Sequence, residues 1–230
     1  MEARRLRSGV ERLRRASTSA FASGLVDEGL AALARLDPVM ARLLADGVRP
    51  PPRERDPGFE SLAFIVVGQQ VSTASADAIF ARLKRALPLT PEAVAAASDD
   101  RLRAAGLSGP KIRALRALAA AILCGALPLA SLHEVPADEA RRLLLAVKGV
   151  GPWTADVYLL FCLGHADAFP TGDLALQEAA RLAYGLPVRP TGPELAALAE
   201  GWRPWRGVAA QVLWAFYRVA KARNGSPLRT

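Results

Sequence analysis

The stretch EARRLLLAVKGVGPWTADVYLL, residues 139–160, decides how this chain is read. Apolar residues recur at three- and four-residue intervals up to about Val147, the pattern of an amphipathic helix. Lys148-Gly149-Val150-Gly151 then makes a tight turn, and Pro152 opens a second helix. Proline suits a first helical turn, where the N–H it lacks would go unbonded anyway. The glycines permit positive φ and a close backbone approach to a ligand, and Val150 between them is expected to pack back between the two helices. N–H groups of the turn and of the second helix's start then point outward at an anion, with a phosphate as the fitting size and charge.

Outward from this hairpin the periodicity stays helical. Residues 26–46, 61–87, 111–123, 173–185 and 208–223 all carry the three/four spacing, and FIVV (64–67), the one run that could be a strand, lies inside a longer helical pattern. The expectation is an all-α fold, two-lobed, with the hairpin beside the interlobe cleft. VRPPPRERDPG (48–58) cannot be regular helix and reads as an extended connector. A second break falls at GHADAFPTG (164–172). These breaks suggest a central lobe over 58–165 carrying the hairpin, and a second lobe built from both chain ends, 24–57 with 166–230. Residues 1–23 read as a basic arm or a first helix; they are Arg- and Ser-rich, but Glu2 and Glu11 argue against an organelle transit peptide.

Lys and Arg outnumber Asp and Glu by 30 to 22, which suits a polyanionic partner, although solvated arginine faces would give the same excess. The two cysteines, Cys124 and Cys162, lie far apart in apolar runs and are expected as buried, reduced thiols; their number excludes a four-cysteine iron–sulfur or zinc site. His133 and His165 are too separated to suggest a metal cluster. No apolar stretch reaches membrane-spanning length and no secretory core opens the chain, so an intracellular protein is expected.

The run from Leu144 to Ala155 matches L-x-x-V-x-G-V-G-x-x-T-A and resembles the helix-hairpin-helix motif, a sequence-independent gripper of the DNA backbone. Thr154 and Lys148 join Gly149 and Gly151 as its candidate DNA contacts. An Asp follows in a Pro/Gly loop, at the head of another helix, in AFPTGDLALQEAARL (168–182). With GFESLAFIVVGQQVSTASADAIFARL (58–83), AAGLSGPKIRALRALA (104–119) and GWRPWRGVAAQVLW (201–214), the chain resembles the helix-hairpin-helix/Gly-Pro-Asp DNA glycosylase superfamily, in its 3-methyladenine DNA glycosylase II branch.

That resemblance implies a base-excision repair hydrolase that flips an alkylated purine out of double-stranded DNA and cuts its N-glycosidic bond. Asp173 would be the catalytic carboxylate, with Asp167 its nearest rival. The residue types agree with this chemistry: an Asp at a helix N-terminus is kept ionised by the helix dipole, and a fixed anion stabilises positive charge developing at the sugar C1′. It could also orient or deprotonate the attacking water. A plain helix cap is the structural alternative for Asp173. Trp153 and Trp214 would line the base pocket by resemblance, or else be core indoles; Trp202 and Trp205 read as core. Relatives carry further pocket aromatics where this chain has Val157 and Leu174.

Gln70, in the turn GQQVS (68–72), would sit at the tip of the wedge that fills the gap left by the flipped base. Ser72 would contact DNA beside it, although Ser72 and Gln69 could instead satisfy backbone groups of the turn. Lys111, in GLSGPK (106–111), would approach a second phosphate. The resemblance also implies a monovalent cation, Na+ or K+, on the carbonyls of Leu145, Val147 and Val150, and no other cofactor. Strand-nicking siblings place a Lys in G-x-K-T-A where this chain has Trp153 in GPWTA, which implies base removal without strand cleavage. A monomer suits this job. Two rival readings stand: a non-catalytic DNA-holding module, or a sibling enzyme for mismatched or oxidised bases.

Overall fold

The computed structural model describes residues 24–51 and 55–223; the expected N-terminal arm, residues 1–23, lies outside them. The described residues are helices joined by turns, with no strand among them, so the all-α expectation holds. Helix α1 covers residues 24–36. It is followed by α2 (Pro38–Ala45), α3 (Phe59–Val67), α4 (Thr73–Ala86), α5 (Pro91–Ala96), α6 (Asp99–Ala104) and α7 (Gly109–Leu123). After a 3-10 turn at Leu129–Glu134 come α8 (Ala137–Leu145), α9 (Pro152–Cys162), α10 (Leu174–Tyr184), α11 (Gly192–Ala199) and α12 (Arg206–Arg223).

Local chemistry sets these boundaries. The helical pattern over 26–46 is cut at Asp37, whose extended backbone and side chain cap α2 while Pro38 occupies its first turn. The pattern over 61–87 is likewise cut between α3 and α4, where Ser72 accepts a hydrogen bond from the Ser75 N–H. Helices α5, α6 and α11 are short, capped by Thr90, Ser98 and Thr191, and had left no long apolar stripe in the sequence.

Buried side chains gather into two clusters. One runs from Phe59 to Cys162 and contains both hairpin helices. The other joins residues near the start, Leu33 to Val48, with Phe169 to Ala215. Within the second, Asp37 ties the chain ends together: its carboxylate accepts hydrogen bonds from the Tyr184 hydroxyl at 2.7 Å and the Trp202 indole at 2.9 Å. Trp202 is fully buried and Trp205 packs against the same cluster, as core residues do.

The loop 164–172, which leads into α10, is seated on the start of α12. Gly207 donates its N–H to the Ala166 carbonyl at 2.7 Å. A Cβ at Gly207 would lie only 2.7 Å from the carbonyl oxygens of both Ala166 and Ala168, so glycine allows this approach. Cys162 is buried as expected, but Cys124 is exposed. It caps the C-terminus of α7 rather than continuing it, so the apolar run around it turns outward there.

Candidate active site

The hairpin turn joins α8 to α9 and packs into the first core. Val150 is 5% exposed and sits among the core residues, as a residue between two helices should. The two glycines differ. Gly149 has φ of 92°, and a Cβ there would lie 2.5 Å from the Ala114 Cβ on α7, so its closest approach is to protein. Gly151, the N-cap of α9 with φ of −92°, has nothing within 4 Å of its would-be Cβ and is the glycine that leaves room for a ligand. Behind the turn, Arg141 of α8 clasps Asp156 of α9 at 2.7 Å and 3.3 Å. Burial raises the Asp156 carboxyl above its usual range, while the Arg141 hydrogen bond and charge, with the charge of Arg206, act against the rise. Lys148 projects from the turn, exposed.

Asp173 is the N-cap of α10, partly exposed, and its Oδ1 accepts the Leu176 N–H at 2.9 Å. Two indoles reach the same carboxylate. Trp153, in the first turn of α9, donates its Nε1–H to Oδ2 at 2.8 Å. Trp214 of α12 donates to Oδ1 at 3.2 Å. Three N–H donors from three helices thus fix one carboxylate in a single orientation. Capping and site geometry coexist in the same residue, and both tryptophans remain partly exposed beside it. The Trp214 ring packs on Phe161 at a centroid distance of 5.7 Å. Pro50, Pro51, Gln211 and Arg218 lie around Trp214.

Asp167 is engaged elsewhere. Its carboxylate accepts from Arg206 at 2.8 and 2.9 Å and from Arg203 at 2.9 Å, so it serves an ion-pair cluster at the head of α12. Of the two positions where relatives carry aromatics, Val157 is buried at 8% exposure and Leu174 is open at 62%, next to Asp173. Tyr158 is wholly buried, and its hydroxyl accepts the Gly58 N–H.

The turn expected to present the wedge lies between α3 and α4. Gln70 is exposed with φ of 56°, alone among the described non-glycine residues in having positive φ. Ser72 is turned into its own helix cap, on Ser75. Three of the expected DNA contacts have partners within the protein. The Lys111 ammonium donates to the Val67 carbonyl at 2.7 Å, capping the C-terminus of α3, and the residue stays partly exposed. Burial lowers its pKa. Thr154 is 1% exposed, so its hydroxyl cannot reach DNA and only its main-chain N–H could. The residue missed as a link is Gln69, whose amide donates to Thr154 Oγ1 at 2.8 Å and to the Gly149 carbonyl at 3.3 Å. Contacts spanning eighty and eighty-five positions leave no trace in local spacing.

Comparison with known proteins gives the family. The family profile described as "HhH-GPD superfamily base excision DNA repair protein" matches residues 64–204. DNA-3-methyladenine glycosylase 1 of Schizosaccharomyces pombe is 32% identical over 173 residues, 73% of this chain and 75% of that protein. The structure of the 3-methyladenine DNA glycosylase from the same yeast in complex with abasic DNA superposes with a TM-score of 0.78 at 28% identity, covering 87% of this chain and all of that one. A DNA-3-methyladenine glycosidase from Bacillus halodurans gives a TM-score of 0.69 at 30% identity over 83% of this chain and 89% of its own. The chain belongs to the HhH-GPD superfamily of base excision DNA repair proteins.

Proposed function

We propose that this protein is a monofunctional DNA glycosylase that hydrolyses the N-glycosidic bond of alkylated purines, of the 3-methyladenine type, flipped out of duplex DNA. One observation carries the reading: the Asp173 carboxylate is held by the indoles of Trp153 and Trp214, and Trp153 stands in the first turn of the helix that follows the glycine hairpin. As the glycosidic bond stretches, positive charge grows at C1′, and a pre-oriented carboxylate stabilises it without having to reorganise. The same oxygens can orient the attacking water. An alkylated purine is cationic, and each electron-rich indole face would favour it by about 0.5–2 kcal/mol.

The hairpin's role is to hold the backbone. Gly149, Gly151 and the Thr154 N–H offer main-chain donors and Lys148 a charge, while Gln70 fills the vacated stack. Leu145, Val147 and Val150 offer neutral carbonyl oxygens, a donor set suited to a hard cation of low charge; Val147 also accepts the Val150 N–H and keeps a second lone pair. A Na+ or K+ bound there would add positive charge beside a DNA phosphate.

Trp153 occupies the place from which strand-nicking siblings project an amine, so no Schiff base forms and the abasic strand stays intact. Such an enzyme works as a monomer on chromosomal DNA inside the cell. The test is mass-spectrometric detection of bases freed from methylated duplex DNA. Release of 3-methyladenine, with no strand break before alkali and no adduct trapped by borohydride, supports the proposal. No release from any lesion contradicts it in favour of a DNA-holding module, and borohydride trapping on 8-oxoguanine DNA contradicts it in favour of a sibling enzyme.

A further inference from the structure

Gln69 joins three parts of the site that the chain brings from distant positions. It sits at the exit of α3, directly before Gln70. Its side-chain amide crosses to α9, donating to Thr154 Oγ1 and the Gly149 carbonyl. Thr154 is buried and adjoins Trp153, the donor to Asp173. Gly149 is itself wedged against Ala114 of α7. The α7 side reaches back through Lys111, whose ammonium holds the Val67 carbonyl at the base of the same turn.

A non-glycine residue at positive φ is held there at some cost, and persists where its surroundings over-determine the backbone. Around Gln70 those surroundings are the Gln69 amide and the Lys111 ammonium on the α3 side, and the Ser72 cap on the α4 side. We propose that Gln69 is a positioning residue that locks the Gln70 turn to the phosphate-gripping hairpin, so that inserting the wedge and seating the flipped nucleotide at Asp173 occur in one rigid frame. The inference rests on the base-excision reading, but it concerns flipping and not bond cleavage. Gln69 touches neither sugar nor base in this role.

The consequence is a dependence on pairing. Where the target base is firmly paired, the enzyme must supply wedge insertion, and a loosened turn slows it. Where the lesion faces an abasic site, flipping is nearly free and the strut is dispensable. Gln69→Glu is close to isosteric, cannot donate, and sets a carboxylate against the Gly149 carbonyl. Thr154→Val removes the other partner, and Thr154→Ser restores the hydroxyl.

The experiment is single-turnover base release from a methylated purine placed opposite its normal pyrimidine or opposite an abasic site. Gln69→Glu and Thr154→Val should slow release from the paired duplex at least about fivefold, the scale of one lost hydrogen bond. Release opposite the abasic site should change by less than about twofold, and Thr154→Ser, which keeps the hydroxyl, should recover most of the loss seen with Thr154→Val on the paired duplex. Equal loss on both duplexes, or no loss on either, overturns the proposal. If the parent frees no base from either duplex, the glycosylase reading fails instead. Fluorescence of a 2-aminopurine beside the target then judges Gln69 separately: unstacking by the parent but not by Gln69→Glu upholds the strut, and equal unstacking overturns it.

Discussion

Trp153 donates its indole N–H to Asp173 across 2.8 Å, joining the first turn of α9 to the cap of α10. The second helix of the hairpin and the helix headed by the carboxylate are therefore registered by one hydrogen bond. Trp153→Phe keeps an aromatic face and deletes that donor. Base release should fall roughly 3- to 30-fold, the range for a hydrogen bond to a charged group that is partly replaced by solvent. Affinity for undamaged DNA, measured at fixed salt, should be unchanged.

The hairpin glycines should separate stability from binding. Gly149→Ala meets both a positive φ and the Ala114 methyl at 2.5 Å, and is expected to destabilise the fold by about 1–3 kcal/mol. Gly151→Ala meets open space at ordinary φ. It should leave the thermal midpoint in place and, on the proposed function, weaken DNA binding, because the added methyl would stand where the proposal puts a phosphate. Calorimetry and a binding titration on the two variants check the contrast.

Asp37 should give the fold an acid limit. Burial would raise its carboxyl, but hydrogen bonds from Trp202, Tyr184, Met40 and Val39 bring it below its ordinary 3.8. With the folded value beneath the unfolded one, the stabilisation is whole above the unfolded value and disappears as pH falls through the folded one. Asp37→Ala should cost about 2–4 kcal/mol near neutrality, combining a lost cap with two stranded donors. The gap between variant and parent should narrow as pH falls below about 4, as urea denaturation across pH would record.

The cysteines should react unequally. Cys124 is exposed, whereas Cys162 is buried, with burial pushing its thiol up to about 12. An aromatic disulfide reagent should titrate one thiol in the native protein and a second after unfolding. Two rapid native reactions would contradict the packing of α9 against α3.

The sequence made the all-helical fold and the hairpin legible because both depend on short-range signals, namely apolar spacing and a Gly-Val-Gly turn before Pro152. Asp173 stood out through its Pro/Gly loop. Where its carboxylate points was not legible, since the indoles that orient it come from twenty residues before and forty-one after. The same physics hid the work of Gln69, Thr154 and Lys111, whose polar ends turn inward to partners far along the chain. Cys124 misled because an apolar run is an average, and a helix C-terminus can turn one member of it to solvent.

A mutant cycle measures the central relationship most directly: single-turnover release of 3-methyladenine from duplex DNA by the parent, Asp173→Asn, Trp153→Phe and the double variant. Loss of the preorganised carboxylate should slow release by roughly a hundredfold or more, and Trp153→Phe should add little once Asp173 is gone, because its N–H acts through that group. Release by Asp173→Asn at the parent rate, or full additivity of the two losses, would contradict the account.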